Sequence, residues 1–128
     1  MGVWGNGECK NAENQKLMVT IKLFAAAVLV AGVPSDPVLV DLAKLGASGD
    51  FAIQVTSDHP VSLTYKASAD DTVTATPRDV NGGGKLCDHS GGTLLYWPDI
   101  MPAAKIWIYA TAPDGGAGAT VSAILNVH

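Results

Sequence analysis

Charge is scarce in this chain. Only 16% of its 128 residues are charged, against about a quarter in an ordinary soluble domain. A surface so poor in charge is expected to be covered in part by a partner. The eight Lys and Arg are outnumbered by twelve Asp and Glu, for a formal net charge of −4. That balance leaves no basic footprint for a phosphate backbone, so nucleic acid is excluded as a partner. Cysteine is limited to Cys9 and Cys87, and histidine to His59, His89 and His128. A structural zinc site needs four such ligands drawn together, and their scatter here argues against one. Long apolar runs are missing too. The richest stretch, Leu17 to Val33, is interrupted by Lys22, and its apolar core from Leu23 to Val33 is about half of the roughly 20 residues that a membrane-spanning helix requires. With Met1 at the head of the chain, the stretch is expected to belong to the fold and not to a cleaved leader, and no membrane is expected as partner.

The motifs that carry chemistry are also absent. Cys87 and His89 flank Asp88 and would point the same way on an extended segment, yet two ligands do not make a metal site. The simpler reading of His89 is a solvated loop histidine. The same pair is poorly placed as a thiol nucleophile and its base. Gly82–Lys85 reads GGGK, but a phosphate-binding loop would need Gly where Asp79 stands and Ser or Thr where Leu86 stands. Asp70, Asp71 and Asp114 lie in turn contexts where Asp bonds to nearby backbone, without the spacing of a calcium loop. No Asn-x-Ser/Thr sequon occurs. The expectation is a protein that is not an enzyme and carries no metal or cofactor.

What is present is period-two alternation. Val19, Ile21 and Leu23 alternate with Thr20 and Lys22. Phe51, Ile53 and Val55 alternate with Ala52, Gln54 and Thr56, and Val61, Leu63 and Tyr65 with Ser62, Thr64 and Lys66. The last two runs, joined by Ser57–Pro60, read as a hairpin. Val38–Leu42 follows the Pro34–Pro37 turn, Thr72–Thr76 is a short β-branched stretch, and Thr93–Trp97 resumes extended structure before Pro98. Ile106 and Ile108 alternate with Trp107 and Tyr109, and Val121, Ala123, Leu125 and Val127 line one face of a final strand. Phe24–Ala31 is the only place where a helix competes. Arg78–Gly92, with five glycines, reads as a long exposed loop. About seven or eight short strands separated by turn signals predict an all-β, single-domain antiparallel β-sandwich over residues 17–128. Residues 1–16, polar and Gly-rich, read as an N-terminal extended arm. Trp4 would anchor it on a neighbouring subunit or on its own domain.

Four aromatic residues form the candidate interface: Trp4, Trp97, Trp107 and Tyr109. If Ile106 and Ile108 face the core, Trp107 and Tyr109 face outward, where such residues are frequent binding hot spots; a sheet covered on both faces would bury Ile106, Trp107, Ile108 and Tyr109 alike. Cys9 and Cys87 either close one disulfide or remain free thiols.

From about Thr20 onward, the order of TIKLF, PSDPVLVDL, SGDFAIQVT, VSLTYKASADD, YWPDIMPAAKIWIYAT and AGATVSAILNVH resembles the small structural proteins that decorate tailed-phage heads. The resemblance implies a cementing protein on the outer surface of the virion capsid. Its partners would be the major capsid protein and other copies of itself, in symmetric clusters such as trimers. The Cys9-bearing arm and the Gly-rich loop depart from that pattern. Two further readings stand beside it. One is a carbohydrate- or receptor-binding module of a tail or cell-surface protein, suggested by Trp107, Tyr109 and the loop aspartates. The other is a secreted or pilus-like subunit, suggested by the apolar Leu23–Val33 stretch and the cysteine pair.

Overall fold

The computed structural model describes residues 18–46 and 50–128. These form eight strands and one helical turn: β1 (Val19–Leu29), β2 (Val38–Asp41), α1 (Leu42–Leu45), β3 (Phe51–Ser57), β4 (Val61–Ser68), β5 (Lys85–His89), β6 (Gly92–Tyr96), β7 (Lys105–Thr111) and β8 (Ala119–Val127). The strands make two four-stranded antiparallel sheets, in the orders β1-β8-β3-β6 and β2-β7-β4-β5. The all-β sandwich expected from the alternation is therefore the fold. The arm assigned to residues 1–16, with Trp4 and Cys9, lies outside the described residues.

The core is built from the inward positions of both sheets. Ile53, Val55, Val121 and Leu125 from the first sheet meet Leu63, Ile106 and Ile108 from the second in one buried cluster. Each aliphatic side chain taken from water contributes about 1.5–3 kcal/mol, and two facing sheets bury enough of them to hold the brick together. β8 is the model case of the pattern: Val121, Ala123, Leu125 and Val127 are buried while Thr120, Ser122, Ile124 and Asn126 are half-exposed.

Three expectations are corrected by the topology. Phe51–Ser57 and Val61–Ser68 do not form a hairpin. β3 pairs with β6 and β8, whereas β4 pairs with β5 and β7, so Asp58–Pro60 is an arch that carries the chain from one sheet to the other. Alternation fixes which face of a strand is buried but not which strand lies beside it, and an Asp-His-Pro link lacks the two-residue geometry of a tight hairpin. Asp58 holds the arch: its carboxylate accepts the Thr120 N–H at 2.8 Å, and the Ser57 hydroxyl donates to the His59 carbonyl at 2.8 Å.

Second, the Gly-rich segment from Arg78 to Gly92 is not all loop, because it contains β5. The Tyr65 N–H donates to the Gly84 carbonyl at 2.8 Å, docking the glycines on β4. Gly84 has φ +63°, and a Cβ there would collide with the Tyr65 carbonyl oxygen, so only glycine lets the chain enter β5 so closely. Third, Thr72–Thr76 is turn and irregular chain, not strand. Lys105, itself buried, reaches it by donating from Nζ to the Thr72 carbonyl at 2.7 Å. The helix that competed at Phe24–Ala31 gives way to β1. That strand shifts register against β8 on both sides of Phe24, and Ala26 takes φ +52°, a bulged path in a run with no consistent face.

Candidate functional site

One rim of the sandwich is closed by β5 and β6, which lie in different sheets and are joined by Ser90 and Gly91. His89 fastens this rim. It is 2% exposed, its Nε2 lies 2.9 Å from the Gly92 carbonyl oxygen, and its Nδ1 lies 2.8 Å from the Tyr96 hydroxyl. A carbonyl only accepts, so Nε2 carries the proton and, in the neutral ring, Nδ1 accepts from the Tyr96 O–H. Burial raises the Tyr96 hydroxyl above its ordinary pKa, which keeps that donor in place. The two rings meet edge to face, 5.8 Å between centroids. The expectation of a solvated His89 is therefore corrected: it is a buried staple between the sheets, and both its nitrogens are occupied.

Cys87 lies on the same inward face, paired with Leu63 as His89 is with Val61. It is a free, buried thiol. Burial first, and the neighbouring Asp88 carboxylate second, push it up to about 11, so it is held as the unreactive thiol. Its suggested disulfide partner, Cys9, lies outside the described residues. Asp88 points the other way, accepting from the Ser62 hydroxyl at 2.7 Å and the Lys85 ammonium at 3.0 Å, and these two bonds lower its pKa. Among the described residues, no three His, Cys, Asp or Glu side chains gather as metal ligands.

The aromatic positions separate. Ile106 and Ile108 are in the core, and Trp107 and Tyr109 do lie on the opposite face of β7. Trp107 is nevertheless only 9% exposed. It stands in the second strand of its sheet, between Leu39 of β2 and Lys66 of β4, and long neighbours on both sides cover its ring. Tyr109 is half-buried beneath Lys66, whose Nζ is 5.8 Å from the ring centroid. Trp97 is the opposite case at 77% exposed. It stands just past β6 at a shallow groove of about 220 Å³ shared with Met18, Phe51 and Asn126.

Next to Trp97, β6 presents a second apolar surface. Leu94 is 51% and Leu95 48% exposed, one on each face of the strand, since Leu94 pairs with inward Val55 and Leu95 with outward Gln54. At the far edge of the same sheet Val28 of β1 is exposed, and so are Val30 and Val33 in the segment that crosses from β1 to the second sheet, where Gly32 and Ser35 donate to the Ala112 and Ala110 carbonyls. The reading of the sequence singled out Trp97 but missed Leu94 and Leu95, because adjacent leucines look like core until their strand proves to be an edge. The sequence matches no protein-family model, and no curated protein is similar to it.

Proposed function

We propose that the chain is a capsid decoration, or cementing, protein of a tailed phage, bound to the outer surface of the major capsid protein shell. The observation that carries this reading is the placement of exposed apolar side chains on a sandwich whose core is already complete. Val28 stands on β1 at one edge of a sheet, Val30 and Val33 follow it where the chain crosses to the second sheet beside Ala110 and Ala112, and Leu94, Leu95 and Trp97 stand on or just past β6 at the other edge. Surplus apolar surface of this kind marks contact with another macromolecule. Two separate surfaces suit a clamp, which must touch the shell and also link to a neighbour. Each contact of standard size buries about 1,200–2,000 Å², and many weak copies acting together hold a shell against internal pressure. The low charge and the strand order described above support the same reading. A carbohydrate platform at Trp107 has less support, because that ring is covered.

The reading predicts that purified chain sediments with heads of the phage that encodes it, and that heads lacking the chain break at lower temperature. Val28→Asp and Val30→Asp together should weaken sedimentation with heads at least tenfold, the cost of about 1.4 kcal/mol, without unfolding the chain. Heads that never bind it, and that are equally stable without it, would remove the proposal.

A further inference from the structure

Among the described residues the sandwich has four edge strands, and three of them are blunted against pairing. β1 is broken by two register shifts around Phe24 and by the left-handed Ala26. β2 is four residues long and follows Pro37 directly. β5 carries Lys85 and Asp88 and has a register shift of its own against β4. Charges, prolines, bulges and shortness are the devices by which sheets protect an open edge. β6 has no charge, proline or register shift, and its one left-handed residue, Gly92 at φ +71°, stands at its first position and not within it. Its ladder to β3 runs unbroken from Ile53–Tyr96 to Ser57–Gly92, and Ser90 to Trp97 contains neither a charge nor a proline.

We propose that β6 pairs antiparallel with β6 of a second copy of this chain, about a two-fold axis through Leu94, joining two four-stranded sheets into one of eight. An antiparallel edge is self-complementary under such an axis, since each backbone donor meets the partner's acceptor and the reverse. The side chains select the register. With Leu94 opposite its own copy, Thr93 meets Leu95 and Gly92 meets Tyr96, and Trp97, one residue past β6, reaches the bend at Gly91, where φ is +136°. Gly91 and Gly92 offer the room this needs: a Cβ on Gly92 would touch nothing within 4 Å, and one on Gly91 only the Ser57 carbonyl at 3.9 Å. The exposed indole of each copy thus lies over the bare glycines of the other, large against small at both ends of the seam. The axis stands perpendicular to the sheet, so inward Leu94 meets inward Leu94 and outward Leu95 meets outward Thr93. The uncharged stretch keeps like charges off the contact between two chains that each carry −4. The dimer stands independently of any binding to a capsid.

Cysteine cross-linking tests the seam and its register in the full chain carrying Cys9→Ser, with Cys87 buried and unreactive. Directly opposed residues in an antiparallel pair have Cα atoms about 4.5–5.5 Å apart, within the roughly 4.4–6.8 Å that a disulfide spans. Leu94→Cys should therefore oxidise almost completely to a covalent dimer. Leu95→Cys, equally exposed but two residues out of register and about 8 Å from its copy, should cross-link at least tenfold less. The unsubstituted chain should sediment with the mass of a dimer, and Leu95→Lys with that of a monomer at an unchanged melting temperature. A monomeric or trimeric mass for the unsubstituted chain, or cross-linking at Leu95→Cys equal to or greater than at Leu94→Cys, overturns the proposal.

Discussion

His89 is the side chain whose place in the molecule is furthest from its appearance in the sequence. Flanked by Asp88 and Ser90 and followed by two glycines, it has the surroundings of a solvated loop residue. Its role comes from Gly92 and Tyr96, three and seven residues later in the opposite sheet. His89→Ala should destabilise the fold by about 3 kcal/mol, because it opens a cavity and strands a hydroxyl and a carbonyl at the rim. Tyr96→Phe, which removes a single hydrogen-bonding group, should cost about 1 kcal/mol. Urea unfolding of both variants and of the double variant measures the coupling, and additive effects would show that the staple does not act as a unit. Ile106 and Ile108, by contrast, could be placed inward from alternation alone. Trp107 could be assigned to the other face, but its cover could not be seen, because Leu39 and Lys66 reach it only through strand pairing.

Among the elements, β3, β4 and β8 were legible because each buries one face and so alternates cleanly, and β7 was legible from its β-branched and aromatic residues although Trp107 and Lys105 are buried on its other face. β5 was hidden by the glycines before and after it, and by the adjacent buried Leu86 and Cys87, which break the period beside a bulge. Partner choice was not legible at all. The β3–β4 arch is held by groups that look like ordinary turn chemistry, and Asp58 gives it a pH dependence. The Thr120 N–H first, and His59 second, lower the Asp58 carboxyl below its ordinary value of 3.8. A carboxyl lowered in the folded state stabilises that state above the ordinary carboxylate range, and the contribution is lost as pH falls through the folded value. The melting temperature of the natural chain should therefore exceed that of Asp58→Asn at pH 7, and the gap should close from about pH 4 downward. Asp70 and Asp88, whose carboxyls are also lowered, remain in both proteins, so the difference isolates Asp58. A gap that is constant with pH would mean that the carboxylate charge does not hold the arch.

Across the whole molecule, the chain closes on itself. Val19 pairs with Val127, which in turn pairs with Phe51, so strands from both ends of the described domain lie side by side. Such distant pairings make folding slow, on the order of milliseconds to seconds, and leave a rigid block once complete. Sparse charge, with exposed Val28 on β1 and exposed Leu94 and Leu95 on β6 at the two edges of one sheet, is what the proposed contact role requires. The fold was readable from composition and period, since those signals are repeated in strand after strand. The proposed contact surfaces were not, because an exposed leucine and a buried one are the same letter until the strand order is known.

The measurement closest to the proposed capsid role is an electron micrograph, averaged to a few ångströms, of phage heads incubated with the purified chain. Density for the sandwich at regular positions outside an icosahedral shell, with the β1 edge turned toward the capsid protein, is the predicted result. A particle whose outer surface lacks the chain altogether would contradict the account.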